Sequence, residues 1–393
     1  MRRSSPELEI PPGRADELLR HLRSTARVGG ITHTYYRYPA RSDPSFVRAA
    51  IAAFTEPGDV VMDPFMGGGT TAVEALVHGR RFVGVDLNPL SKFIANVKTT
   101  PLTEFDRSIL LDWASRYDQL TPPTSVNPDA SEWHHVPWWL RRATSGLVES
   151  AKALPLSRQE RFARCTILRT AQWALDGRRS LPTTAEFHRM HRKVATEMVL
   201  GGIPGTVGGH HGVSSSREPA RLFLERSVIG IERDSRVIRE WRPVKLVLTS
   251  PPYPGVHVLY HRWQVKGRRE TALPYWIAGL EDGFPESRFT FGPRHDPDLQ
   301  QYLPRYSEAF ASIANVLDRD SLVVQVLGFS RPETQLPKIL SALETLGFEE
   351  VGFGYRGPSD ARAWRHVPNR KWHANLQQGN GGSEVLLVHR LAS

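Results

Sequence analysis

Asp63-Pro64-Phe65-Met66-Gly67-Gly68-Gly69-Thr70-Thr71 follows the apolar run Val60-Val61-Met62 and precedes a helical stretch, Thr70 to His78, closed by Gly79. A short buried strand, a glycine-rich turn and a helix in that order read as the first crossover of a parallel sheet. Glycine lets a backbone turn tightly and a ligand approach it, and the helix that follows presents N–H groups with no partner inside the helix. Working outward, Arg81-Phe82-Val83-Gly84-Val85 reads as a second strand ending at Asp86. Pro89 to Val97 reads as a second helix, with proline suited to its first turn. This alternation predicts a mostly parallel, twisted α/β sheet with right-handed crossovers.

Two carboxylates give the turn its chemistry. Asp86 lies 19 positions after Gly67, close to the ~20 at which a strand-end acid accepts hydrogen bonds from ribose hydroxyls. Asp63 stands at the mouth of the turn, where it would repel a pyrophosphate and suit an ammonium. S-adenosyl-L-methionine, a cation with an ammonium and a sulfonium, therefore fits better than a dinucleotide. The competing structural reading is a plain glycine-rich connection with both acids as exposed strand ends.

Far along the chain, Thr249-Ser250-Pro251-Pro252-Tyr253 closes a second apolar strand, Val244-Lys245-Leu246-Val247-Leu248. Exocyclic amines of nucleobases are poor nucleophiles, because their lone pairs delocalise into the ring. The Ser250 hydroxyl and Pro251 carbonyl can orient the two N–H groups, while Pro251-Pro252 keeps the backbone extended. Tyr253 offers a flat face for an extruded base, and a base inside a duplex must be flipped to reach a methyl group. Methylation of a ring carbon would need a cysteine nucleophile. The single cysteine, Cys165, lies on the apolar stripe Phe162, Cys165, Leu168, Ala171 and Leu175 and reads as core.

The 393 residues suffice for one large catalytic domain with a substantial insertion. One cysteine excludes an intramolecular disulfide and a cysteine-rich zinc site. No apolar run approaches the ~18 residues of a membrane span, and no signal-peptide pattern follows Met1-Arg2-Arg3, so a cytoplasmic location is expected. Lys and Arg number 51 against 41 Asp and Glu, a net charge of +10 that suits a polyanionic partner. Pro137 to Lys193 alone holds 12 Lys/Arg against 4 Asp/Glu.

Residues 1–31 read as an N-terminal segment, with a helix near Arg14 to Arg27. Residues 101–225 lack clear strands, carry two expected helices and include a Gly/Ser-rich stretch, Gly201 to Ser216. The sheet is expected to resume at Val228-Ile229-Gly230-Ile231 and to continue through Ser321 to Leu327, Glu349 to Tyr355 and Glu384 to His389. Two stretches interleave basic and aromatic residues, His261 to Arg269 and Trp364 to His373, as expected of DNA contacts or, more blandly, of solvated loops anchored by tryptophan.

These residues resemble the amino-methylating DNA methyltransferases, N4-cytosine type. Asp63-Pro64-Phe65-x-Gly67-x-Gly69-Thr70-Thr71 is similar to their cofactor motif, and Asp86-x-Asn88-Pro89 to their second-strand acidic motif. Tyr36 to Ala40 resembles the segment over the cofactor's methionine end, and Asp234 the acid near its adenine. Thr249 to Tyr253 matches the catalytic motif, in which serine suggests cytosine and aspartate adenine. The resemblance implies a Rossmann-like S-adenosylmethionine-dependent methyltransferase fold over residues 32–100 and 226–393. It assigns cofactor contacts to Asp63, Phe65, Gly67, Gly69, Thr70, Asp86 and Asp234, and catalytic roles to Ser250, Pro251, Pro252 and Tyr253. Residues 101–225 become a basic helical insertion and candidate target-recognition region. Duplex DNA is the implied partner, and a restriction or defence partner is compatible with it. The open alternatives are an N6-adenine DNA methyltransferase, an RNA guanine-N2 methyltransferase and a catalytically silent DNA-binding module.

Overall fold

The computed structural model describes residues 10–24, 29–39, 41–116, 133–203, 220–254, 262–266, 269–281, 290–293, 296–352, 362–366 and 383–392. Helices α1 (Pro12–Leu22) and α2 (Pro44–Phe54) lead into β1 (Val60–Asp63), α3 (Thr70–Val77), β2 (Arg81–Asp86) and α4 (Pro89–Thr99). Asp43 caps α2 by accepting from the Ser45 and Phe46 N–H groups, and Asn88 caps α4 through the Leu90 N–H. Both helices open on proline, as their sequences anticipate.

Four helices follow, α5 (Glu104–Arg116), α6 (Trp138–Lys152), α7 (Ser157–Leu175) and α8 (Thr184–Leu200), before the sheet resumes at β3 (Arg221–Glu225). Beyond lie α9 (Ser235–Glu240), β4 (Leu246–Thr249), the hairpin β5 (Trp263–Val265) and β6 (Arg269–Thr271), and α10 (Leu273–Ala278). The chain continues through α11 (Tyr302–Ala314), β7 (Leu322–Gly328), α12 (Pro332–Thr345), β8 (Phe348–Glu350), β9 (Ala363–His366) and β10 (Ser383–Leu391).

The main sheet runs β3-β2-β1-β4-β7-β10-β8, with β9 also paired to β10. Strands β3, β2, β1, β4 and β7 are mutually parallel, whereas β10 is antiparallel to β7, β8 and β9. Helices α1, α2 and α3 cover one face around Phe46, Ile51 and Leu76, and α9, α11 and α12 cover the other around Val237, Phe310 and Ile339. This is a Rossmann-like, mostly parallel α/β sheet, with a largely helical insertion between α4 and β3.

Four expectations need correction. The third strand is Arg221–Glu225, not Val228 to Ile231; the latter forms a turn around Gly230 (φ +82°), whose N–H donates to Ser312 on α11. Its apolar residues pack against a helix rather than in a ladder. The insertion holds four described helices, not two. The N-terminal segment is not separate from the sheet domain: α1 packs on α2, and the Ile10 N–H reaches the Gly352 carbonyl. Finally, residues 262–266 and 269–280 join the insertion. Trp263, Val265 and Tyr275 share one core with α5 to α8, the buried face of α4, and Tyr35, Tyr36 and Tyr38.

Trp263 is buried, and its indole N–H donates to Tyr36 Oη at 2.9 Å, so this tryptophan anchors the first basic-aromatic stretch and offers no exposed stacking face. In the second stretch, Arg365 pairs with Glu384 across β9 and β10. Residues 367–373 lie outside the described residues, as do Ala40, His261 and residues 204–219 of the Gly/Ser-rich stretch. Among the described residues, no helix is long and apolar enough to cross a membrane.

Candidate active site

A cleft opens at the carboxyl ends of β1, β2 and β4. Strand order reverses between β1 and β4, and open α/β sheets bind ligands at such a switch point. Asp63, Phe65, Gly67, Thr70 and Asp86 line the cleft from one side and Ser250 and Pro252 from the other. The two motifs therefore face one space.

Asp86 accepts from the Gly67 N–H at 2.7 Å and from the Asn88 N–H at 2.8 Å. Burial raises its pKa, against the pull of these donors. The neighbouring Leu87 is 41% exposed and lines the same cleft, an apolar face beside the acid.

Asp63 is more enclosed than its place at the turn suggests. It is 6% exposed and accepts from Thr249 Oγ1 (2.7 Å), Thr71 Oγ1 (2.9 Å) and the Phe65 N–H (3.2 Å). Burial lifts its pKa to about 6 despite those three donors.

The glycines of the turn answer chiefly to neighbouring side chains. A Cβ on Gly68 would lie 2.6 Å from Tyr38 Cβ, and one on Gly69 2.9 Å from Ala95 Cβ, with Gly69 at φ +71°. The loop carbonyls are held from α4, by Ser91 Oγ on Gly67 O (2.6 Å) and Lys98 Nζ on Gly68 O (2.7 Å). Lys98 is buried, which pulls its pKa down to about 7.

Some expected contacts lie elsewhere. Asp234 does not line the cleft; it caps α9 and pairs with Arg236 (2.7 Å) and Arg226 (3.2 Å), the latter a cleft residue. The Arg236 side chain first, aided by its N–H and by Arg226, holds the Asp234 pKa well below the carboxylate range. Gly69 serves as the α3 N-cap and is not part of the lining. Pro251 is buried. Tyr253 packs so close to β7 that a Cβ on Gly328 would lie 2.8 Å from its Cδ2.

Sequence reading missed Arg41 and Phe291, which also line the cleft. Arg41 follows the aromatic segment closely enough to have been considered. Phe291 had no local signal, since it sits in irregular chain between regular elements. Asn88 does more than cap a helix: Asn88 Nδ2 donates to Tyr38 Oη (3.2 Å), and Tyr275 Oη donates to Asn88 Oδ1 (3.0 Å). The insertion's core is thereby tied to the Asp86 side of the cleft.

Residues 20–96, from α1 to α4, match a family model described as DNA methylase. Over these residues the chain is similar to the amino-methylating DNA methyltransferases. Over 75 residues it is 40% identical to the type II methyltransferase M.MvaI of Kocuria varians, covering 18% of this chain and 16% of that protein. Over 62 residues it is 36% identical to the DNA adenine methyltransferase YhdJ of Escherichia coli, covering 16% and 21%. The chain thus aligns with less than a quarter of the length of either relative. Among solved structures, TrmN from Thermus thermophilus aligns with a TM-score of 0.33 and 12% identity, over 89% of this chain and 49% of that one.

Proposed function

We propose that this chain transfers a methyl group from S-adenosylmethionine to the N4 amine of a flipped cytosine in duplex DNA. The observation that carries the reading is the shared cleft: Ser250 and Pro252 face the space lined by Asp63, Gly67 and Asp86. The lining suits the cofactor, with Asp86 for ribose hydroxyls, Leu87 as an apolar face, Asp63 for an ammonium and Arg41 as a cation for a carboxylate. When bound there, S-adenosylmethionine supplies an electrophilic methyl group on sulfur.

The chain's residues do the rest. Ser250 Oγ and the Pro251 carbonyl accept the N–H groups of the target amine, turning its lone pair out of conjugation. Tyr253 stacks on the extruded base, an interaction worth ~1–3 kcal/mol. The uncharged serine hydroxyl at position 250 favours cytosine over adenine. Buried Cys165, with burial raising its thiol pKa to about 12, is no nucleophile for ring-carbon methylation.

The insertion is the proposed target-recognition region. On α8, Arg189, Arg192 and Lys193 share one exposed face with His188, Thr196 and Glu197, the last paired with Lys193 at 3.8 Å. Positive charge so spaced suits phosphate contacts that fix register on a duplex. The adenine reading draws on the match to an adenine methyltransferase. Nucleoside mass spectrometry of DNA incubated with protein and cofactor decides between them. N4-methylcytosine is expected, N6-methyladenine would move the target to adenine, and 5-methylcytosine would refute amine methylation.

A further inference from the structure

Pro251 and Pro252 leave the catalytic loop without N–H donors at two consecutive positions. It can be held only through its ends, its carbonyls and its rings. Thr249 ties the start of the loop to Asp63. The far side is tied by a residue outside every motif: Tyr302 Oη donates to the Pro252 carbonyl at 2.7 Å.

Tyr302 is itself closely fixed. It opens α11 and is 3% exposed. Its ring stacks on Tyr306 (5.8 Å, 22°) and meets Phe291 edge-on (5.4 Å, 84°). Its N–H donates to the Asp296 carboxylate, as do those of Gln300 and Gln301. Phe291 in turn meets Phe65 of the cofactor loop edge-on at 5.3 Å. An aromatic bridge thus runs from the cofactor loop, through Phe291 and Tyr302, to the catalytic loop.

We infer that Tyr302 is a positioning residue: by holding the Pro252 carbonyl, it sets the distance between the amine acceptors, Ser250 and Pro251, and the cofactor side of the cleft. The inference rests on the proposed role of that loop in amine methylation. A packing role alone does not account for the hydroxyl, which deletion can separate from the ring. Tyr306, one turn along in the same stack, provides the internal control. Its hydroxyl bonds Gln325 Oε1 within the sheet (2.9 Å), away from the loop. Burial first, then Tyr306 and Tyr253, raise the Tyr302 pKa well above the usual phenol value, so its donor persists at any working pH.

The test compares Tyr302→Phe with Tyr306→Phe in the full chain. Methyl transfer from tritiated S-adenosylmethionine is measured on DNA from a methylation-free host, with cofactor affinity by calorimetry and melting temperature alongside. Tyr302→Phe should lower kcat roughly ten- to a hundredfold, the scale of a misplacement near 1 Å, with cofactor affinity unchanged. Tyr306→Phe should lower the melting temperature and keep kcat. Equal kcat in Tyr302→Phe and wild type overturns the inference, as does a decline that merely follows stability in both variants. A wild-type chain inactive on DNA would refute the substrate reading instead. The crystal structure of Tyr302→Phe then decides: a displaced Pro252 carbonyl supports positioning, and an unmoved one overturns it.

Discussion

Asp63 and Thr249, 186 positions apart in sequence, are joined by a 2.7 Å hydrogen bond from Thr249 Oγ1 to Asp63 Oδ1. The residue that opens the glycine loop also anchors the residue that opens the Ser-Pro-Pro-Tyr loop. Whatever sets the charge on Asp63 acts on both halves of the cleft.

Cofactor binding should therefore depend on pH. Burial lifts the Asp63 pKa from 3.8 to about 6. Between those values the folded chain binds more protons than the unfolded chain, so this group's contribution to stability falls as pH rises through the window. A cofactor ammonium favours the ionised carboxylate and works in the opposite sense. Calorimetry from pH 5 to 7.5 should show S-adenosylmethionine affinity rising to about pH 6 and then levelling. In Asp63→Asn the curve should flatten.

Removing the Asp86 carboxylate should weaken cofactor binding by ~1.5–3 kcal/mol, the range for a hydrogen bond involving a charged group. Asp86→Ala also frees the Gly67 N–H that the carboxylate now holds. Titration of a folded variant that retains wild-type affinity would remove Asp86 from the ribose site.

The basic face of α8 should govern DNA affinity but not cofactor affinity. Replacing Arg189, Arg192 and Lys193 with glutamine should reduce the slope of log K against log salt by about 0.9 for each phosphate that the variant no longer neutralises. Fluorescence anisotropy on a duplex at several salt concentrations measures this slope. An unaltered slope would assign the face to something other than DNA.

Gly328→Ala should act on catalysis through Tyr253. The added Cβ would fall 2.8 Å from the Tyr253 ring and 3.3 Å from the Glu384 side chain. The ring must shift, and turnover should drop while cofactor affinity holds. Tyr253→Ala should lose ~1–3 kcal/mol of base stacking, and Tyr253→Phe should be mild. Steady-state kinetics beside cofactor calorimetry separates these outcomes.

Local sequence was enough to reveal β1, the glycine turn, β2 and α4, because each is written in adjacent residues: an apolar run, a loop of glycines, a cap, a proline. It also led to the pairing of the glycine turn with a Ser-Pro-Pro-Tyr loop, and the tertiary structure supplied their contact across β1 and β4. It misplaced the third strand, because apolar residues at 228–231 pack in a turn against α11 while the strand itself, Arg221 to Glu225, begins and ends in charge. Trp263 illustrates the same limit. Basic neighbours suggested a surface, yet its indole is buried against Tyr36, 227 positions away. Tyr302, Phe291 and Asn88 gained their connections only when the chain closed on itself. Hydrophobic periodicity and turn chemistry act over a few residues and are legible in order along the chain. Which carbonyl a tyrosine reaches depends on the packing of every layer between them, and that is decided by the folded structure.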